Sequence, residues 1–412
     1  MRRVVVLLGL GTLAALIGCR GNKPDADLEP APPPVEWTAD VQWAAEGNNA
    51  FALALYKQLS EQEKGKNVFY SPYSVHGALA MTATGAKGNT RDQMLKVLRL
   101  PTDAQVLAAG DMGRYYAHPR KDFELSVANA LWGQKGFPWR AEWLAVQNER
   151  FGAGFNEADF GGNPEGERLR VNKWVEEKTR DRIKELLLRD QITQDTRMVL
   201  TNAIYFKGKW ATQFKTENTR NEPFKCDDGT KVDVPMMNAS LACRYGHDDG
   251  VTMIALPYQG GELAMIVVLP KNGEKLSELE KRLTPERFAK WFSRMGDCDK
   301  MPVAVPRFKI ESRYELPERL KALGMVDAFD PDHANFTGMS DRPPLYISAV
   351  AHKAFVEVNE EGTEAAAATA VVVTEKVAAT TSEPFRADRP FLFLIRDTKH
   401  GTILFVGRVE KP

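Results

Sequence analysis

Six histidines and four cysteines carry most of the nucleophilic and metal-binding chemistry this chain could offer, and their spacing assembles little of it. The histidines stand apart at positions 76, 118, 247, 333, 352 and 400. The nearest thing to a metal cluster is Asp330-Pro331-Asp332-His333, and those four residues read better as a polar turn between a helix and a strand. Glu360 and Glu361 are adjacent carboxylates beside a glycine, without a partner base. The sequence has no G-x-S-x-G elbow, no H-E-x-x-H and no G-x-x-x-x-G-K-[ST] phosphate loop. No catalytic constellation, metal site or cofactor motif emerges, so an envelope hydrolase has nothing in its favour.

Cys19 is the exception, because its chemistry follows from its place. Arg2 and Arg3 precede an apolar run from Val4 to Ile17 that ends in Leu16-Ile17-Gly18-Cys19. The run is shorter than the about 20 residues a membrane span needs and reads as a secretory signal. Its end resembles the bacterial lipobox, in which small residues before the cysteine fit the signal peptidase and the thiol is acylated after cleavage. The expected chain therefore loses residues 1–18 and is lipidated at Cys19, and Arg20 in the next position favours the outer membrane or cell surface. The alternative is a periplasmic or secreted protein with an incidental cysteine. Pro24, Pro30 and Pro32-Pro33-Pro34 make residues 19–36 an extended tether, so that only the lipid touches the membrane. Cys226, Cys243 and Cys298 are left, an odd number without zinc spacing. An exported chain could bridge Cys226 to Cys243.

The 412 residues suggest two or three domains by length alone. Lys plus Arg and Asp plus Glu both count 55, and a chain so neutral lacks the basic face that nucleic acid requires. With 43% hydrophobic residues it has ample core, which excludes wholesale disorder. No second linker or repeat interrupts residues 37–412. Phe51, Leu55 and Leu59, with Ala52 and Tyr56 alongside, have helical spacing. Val171, Trp174, Val175, Ile183, Leu186 and Leu187 suggest a second helix with Asn172 near its start. Strands are expected over Leu125–Leu131, Met198–Phe206, Leu263–Leu269 and Thr402–Val409, the third of them apolar throughout and so buried on both faces. Helices crowd the first half and strands the second, an α+β layout.

One segment is physically unusual: Glu360, Glu361, Gly362, Thr363, Glu364, Ala365, Ala366, Ala367, Ala368, Thr369, Ala370 and then three valines. Read with period two, positions 363 to 373 on one face are small or β-branched and uncharged. Such a strand could slide between two existing strands without overfilling the core beneath. The same alanines would also suit an exposed loop or a short helix.

The surroundings decide between these readings, because the chain resembles the serpin family over nearly the whole of residues 37–412. Asn67-Val68-Phe69-Tyr70-Ser71-Pro72-Tyr73-Ser74 through Gly85-Ala86-Lys87-Gly88-Asn89-Thr90 is similar to the family's first signature, and Leu200-Thr201-Asn202-Ala203-Ile204-Tyr205-Phe206-Lys207-Gly208-Lys209-Trp210 to its central one. Val234-Pro235-Met236-Met237, Pro306-Arg307-Phe308-Lys309, Ala351-His352-Lys353-Ala354, Pro390-Phe391-Leu392-Phe393-Leu394-Ile395 and Phe405-Val406-Gly407-Arg408-Val409 follow in the family's order.

The resemblance implies a single α+β domain with a large mixed central sheet, two smaller sheets, about nine helices and an exposed reactive-centre loop at about 360–388. It also implies a monomeric inhibitor without cofactors that acts as a suicide substrate of a serine protease. The protease attacks the loop, forms an acyl-enzyme, and is carried across the molecule as the cut loop inserts into the sheet. Carried over by position, the hinge is Glu360 to Thr369 and the reactive bond Lys376–Val377. A lysine there suits a trypsin-like enzyme with an acidic specificity pocket. The stretch from hinge to Arg389 is a few residues longer than usual, and a displaced bond at a valine or threonine would suit an elastase-like target. Ser71, Ser74, Asn202 and His352 fall where the family keeps a polar network that controls insertion, and Trp210 where it keeps an aromatic near the point of insertion. A non-inhibitory carrier, chaperone or surface scaffold is the alternative; the small Thr363, Ala365, Ala367 and Thr369 argue against it.

Overall fold

The computed structural model of the chain describes residues 35–152, 155–248, 250–342, 344–363 and 384–412. The signal sequence, Cys19 and nearly all of the tether lie outside them, as do Glu364 to Thr369, Lys376 and Val377. Nine helices stand among the described residues: α1 (Ala39–Gln62), α2 (Pro72–Ala83), α3 (Gly88–Leu98), α4 (Asp103–Ala117), α5 (Ala141–Val146), α6 (Pro164–Lys178), α7 (Leu276–Glu280), α8 (Pro285–Ser293) and α9 (Pro317–Ala322). None of them is long and apolar enough to cross a membrane. The strands are β1 (Val68–Tyr70), β2 (Phe123–Gln134), β3 (Phe155–Ala158), β4 (Met198–Lys209), β5 (Arg220–Lys225), β6 (Lys231–Asp248), β7 (Val251–Pro257), β8 (Leu263–Pro270), β9 (Gly296–Pro306), β10 (Phe308–Glu315), β11 (Ile347–Val358), β12 (Gly362–Thr363), β13 (Phe385–Arg386), β14 (Phe391–Asp397) and β15 (Ile403–Val409). Described residues from Val35 onward belong to one unit, where length alone suggested two or three domains.

Local chemistry starts the helices that matter most. The Thr38 hydroxyl accepts the amide of Val41 and opens α1, whose Phe51, Ala52, Leu55, Tyr56 and Leu59 are all buried, as their spacing predicts. Ser71 caps α2 by accepting the amide of Ser74, and Pro72 fills the first helical position. The expected helix through Leu187 is corrected: α6 runs from Pro164 only to Lys178, and Asn172 sits in its interior. The Thr179 hydroxyl turns back onto the carbonyl of Val175 (2.7 Å) and accepts the amide of Ile183, while Arg180 and Asp181 take positive φ of 51° and 59°. Asn172 then pins the irregular continuation, exchanging two 2.8 Å hydrogen bonds with the backbone of Leu187. Ile183, Leu186 and Leu187 are buried as their apolar character requires, without being helical.

Two sets of strands follow. The first is a mixed six-stranded sheet in the order β10-β11-β12-β4-β2-β3, in which β4 and β11 also pair directly and in parallel. The second has the order β1-β15-β14-β8-β7-β6-β9-β13, with β5 on β6. Strand β6 pairs with β5 over its first part and with β7 over its last, so the two smaller sheets expected from sequence are joined through one 18-residue strand. Strand β8 is buried at every position, as its apolar run predicts.

Alternation along the central strands separates two cores. Leu200, Ile204 and Phe206 of β4, with Val350, Ala354 and Val356 of β11, join the main core beneath α1, α2 and the second set of strands. Val199, Ala203 and Tyr205, with Ala349, Ala351 and Phe355, face Val171 and Val175 of α6 instead. The central sheet is therefore packed on both faces, and anything entering it must fit both.

The cysteines answer a question the sequence left open. Cys226, Cys243 and Cys298 are all free thiols, and the residue opposite Cys243 is Cys298 on β9, not Cys226.

Candidate functional site

The parallel pairing of β4 with β11 runs from Met198 and Ile347 up to Tyr205 and Phe355. Above that the strands part, and β12 occupies the gap. The chain leaves β11 at Val358, turns through Asn359 to Gly362, and re-enters antiparallel to both neighbours. Gly362 pairs with Lys209 and Thr363 with Gly208 on one side, and Thr363 with Val358 on the other.

This turn is held from every direction. Asn359 donates its backbone amide to the carbonyl of Gly362 (2.9 Å), and its side-chain oxygen accepts the amides of Glu361 and Gly362. Trp210 donates its backbone amide to Glu361 and its indole N–H to the Asn359 carbonyl, both at 2.9 Å, and Phe214 donates to the carbonyl of Glu360. The carboxylate of Glu360 accepts the Arg307 guanidinium at 2.7 and 2.8 Å and the Thr219 hydroxyl. Burial opposes its ionisation, but Arg307 and Thr219 outweigh that and hold the carboxyl below the usual range. Gly362 admits no side chain, since a Cβ there would stand 2.1 Å from the carbonyl oxygen of Gly208.

Thr363 is fully buried on the main-core side. Its hydroxyl shares a 2.7 Å hydrogen bond with that of Tyr258, whose ring stacks on Trp210 at 4.7 Å and meets Phe206 edge-on at 5.0 Å. Burial holds the Tyr258 phenol far above its ordinary value, so this contact is between two neutral hydroxyls.

Lower in the same seam, His352, Asn202 and Asn129 stand in one row across β11, β4 and β2. His352 donates from Nδ1 to the Asn202 side-chain oxygen and accepts the backbone amide of Ser71 at Nε2 (3.1 Å). Asn202 donates to the Ser74 hydroxyl (2.7 Å) and to Asn129 (2.6 Å). Ser74 donates to Asn129 (2.7 Å), whose own amide returns to the Ser74 carbonyl (2.9 Å). The Ser71 hydroxyl donates to the carbonyl of Leu404 at 2.6 Å. Ser71, Ser74, Asn202 and His352 are completely buried, and every one of them is partnered.

Burial pushes the His352 imidazole down to about 3 and that of His76, on the buried side of α2, down to about 4. Both are neutral in the native protein, whereas the unfolded chain protonates them below about 6.5. Between those values the unfolded state binds more protons, so stability falls as the pH falls. From pH 7.5 to 5 the two histidines are expected to withdraw about 2 kcal/mol each. Urea unfolding at both pH values, with His76→Gln and His352→Gln each removing its own share of the difference, checks this.

Sequence reasoning pointed to Glu360 to Thr363, Trp210 and the four polar residues, and the structure brings these into one seam. Asp330 holds the His333 imidazole and the amide of Asp332 within a local turn, away from the seam. Sequence reasoning missed Tyr258, Asn129 and the grip of Arg307 on Glu360. Asn129 had a signal, being the one amide on the face that carries Leu125, Val127 and Leu131. Tyr258 had none, because nothing local announces what its hydroxyl meets 105 residues later.

Comparison with known proteins sets this geometry among relatives. The family model described as "Serpin (serine protease inhibitor)" matches residues 46–412. Human Serpin B8 is 41% identical over 89% of this chain and 99% of its own. Mouse Antithrombin-III is 37% identical over 89% of this chain and 81% of its own. Among solved structures, the native state of the thermophilic serpin Tengpin superimposes with a TM-score of 0.83 at 28% identity, covering 92% of this chain and 96% of that one.

Proposed function

This chain belongs to the serpin family, whose members are generally protease inhibitors, and on that premise we propose that it traps a trypsin-like serine protease as a suicide substrate. The observation that carries the reading is β12. Gly362 and Thr363 are hydrogen-bonded between β4 and β11 in the orientation a full inserted strand would need.

Extending that register without a slip gives the proposal its detail. Thr363 to Val373 would lie along β4 from Gly208 down to Met198, its whole length below the turn. Ala365, Ala367 and Thr369 would follow Thr363 onto the main-core face. Thr369 would fall between Asn202 and His352, separating their side chains and offering a hydroxyl in exchange. Thr374 would lie opposite Ile347 at the start of β11, and Glu375 and Lys376 would extend past the end of the sheet. The whole span from Thr363 to Lys376 reaches roughly 45 Å when extended.

The chemistry belongs to the protease. Its serine oxygen attacks the Lys376 carbonyl, the bond to the Val377 nitrogen breaks, and Lys376 is left as an ester on the serine. Insertion exchanges the single parallel β4–β11 ladder for two antiparallel ones, which are somewhat more stable per residue. If that precedes hydrolysis of the ester, the protease is drawn from its docking site with its active centre strained. The inhibitor acts as a monomer, tethered through a lipidated Cys19 at the outer membrane or cell surface.

Incubation with trypsin-like and elastase-like proteases tests the proposal. A complex that survives denaturing electrophoresis is expected with the first, together with a released peptide beginning at Val377. Lys376→Glu is expected to slow inhibition by at least about 1,000-fold, because an acidic pocket rejects a carboxylate. Cleavage without a complex would favour the carrier or scaffold reading, and a peptide beginning elsewhere would move the reactive bond.

A further inference from the structure

Cys243 and Cys298 are partners across the antiparallel pair β6–β9, and their side chains share a face. The register slips by one residue beside them: Leu241 faces Met301 but Cys243 faces Cys298, so Asp299 and Lys300 together oppose Ala242 in a β-bulge. Residues directly opposite in such a ladder have Cα atoms about 4.5–5.5 Å apart, inside the 4.4–6.8 Å range that a disulfide bridges. Cys226 is no competitor. It starts the turn between β5 and β6, bonded to Thr230 and Gly229, and about 40 Å of extended strand separates Lys231 from Cys243.

The two thiols also share access. Both line a cavity of about 420 Å3, walled by Ala255, Ile266, Phe292 and Met295. Cys243 is buried and Cys298 only partly so. We infer that Cys243 and Cys298 form a dithiol site that closes to an intrachain disulfide when it meets a disulfide oxidant.

The order of events follows from exposure. The Cys298 thiolate attacks one sulfur of the oxidant R–S–S–R and expels RS⁻, leaving a mixed disulfide. Cys243 then loses its proton to water, attacks the Cys298 sulfur and expels the second RS⁻. Two thiols have lost two electrons, and the oxidant has become two thiols. Burial, reinforced by the neighbouring Cys298, pushes the Cys243 thiol up to about 12, which makes its thiolate a poor leaving group and the closed bond a lasting one. It closes a loop containing β7, β8, α7 and α8, and fixes β6 to β9, the strand that carries β13 beyond the reactive loop.

The test is to expose the full folded chain to oxidised glutathione, alkylate it after unfolding, and map its peptides by mass. The expected result is a Cys243–Cys298 linkage with the loss of two hydrogens, and a thermal midpoint higher by about 5 °C through the restricted unfolded chain. Cys226→Ser is expected to change nothing, and Cys243→Ser to accumulate glutathione on Cys298. In the unmutated chain, a linkage through Cys226, a glutathione adduct that persists on Cys298, or two thiols that both remain alkylatable would each overturn the inference.

Discussion

Replacing Thr363 with arginine is expected to leave a protein that folds, is cut by its target protease and no longer holds it. Thr363 lies between Gly208 and Val358 with no exposed surface, bonded to Tyr258, whose ring packs on Trp210 and Phe206. In the uncut protein an arginine at 363 loses the Tyr258 hydroxyl and the ladder positions at Gly208 and Val358, while Trp210, Phe214 and Arg307 still hold the turn before it, so the loss stays local and the domain folds. After cleavage the same side chain would have to lie under two completed ladders. An uncompensated buried charge costs about 3–5 kcal/mol, which as a barrier slows insertion roughly 100- to 1,000-fold. Hydrolysis of the ester would then win. Denaturing gels and the stoichiometry of inhibition read this directly, and Thr363→Ser, which keeps a small hydroxyl, is expected to trap normally. Efficient trapping by Thr363→Arg would mean that insertion does not follow the register begun by β12.

Asn202→Ala is expected to be the most destabilising single change in the seam. The amide accepts from His352 and donates to Ser74 and Asn129. Removing it leaves the His352 N–H buried without a partner, strips a donor from the other two, and opens a cavity in a row that no water reaches freely. Each orphaned group costs about 1–3 kcal/mol, so a loss of about 3–5 kcal/mol is expected. In a chain of this size that lowers the midpoint of the first unfolding transition by on the order of 5 °C. Ser74→Ala, which removes a smaller share of the same network, should cost about 1 kcal/mol. Equal midpoints for Asn202→Ala and the unmutated chain would show that the row is not what holds β4 to β11.

The two substitutions probe opposite requirements of one seam. Uncut, it stays closed up to Tyr205 and Phe355 and holds Gly362 and Thr363 above them. On the proposed mechanism it must, once the loop is cut, admit a whole strand. The row of Asn129, Asn202 and His352 serves the first requirement through directional bonds that lose strength abruptly when strands part. The small residues from Thr363 onward would serve the second, because the sheet is packed by buried side chains on both faces and close-packed interiors leave little room for larger ones.

Much of this was written locally and could be read locally. Periodicity located α1 and the strands β2, β4, β8 and β15, because the face a residue presents depends on its own strand or helix and not on what lies beyond. The run of small residues after Gly362 was legible for the same reason. Where a nearby side chain competed with the backbone, periodicity overreached: Thr179 ended α6 while buried apolar residues continued the pattern to Leu187.

The sequence by itself determined which faces are apolar, where the polar residues break them, and that one segment is small enough to be buried between strands. Only the tertiary structure decided which strand lies beside which, and in what register. That is why Thr363 meets Tyr258, His352 receives the amide of Ser71 from 281 residues away, and Cys243 faces Cys298 and not Cys226. Alternation with period two fixes a side chain's direction but leaves its neighbour open, and a slip of one residue would send every side chain to the other face.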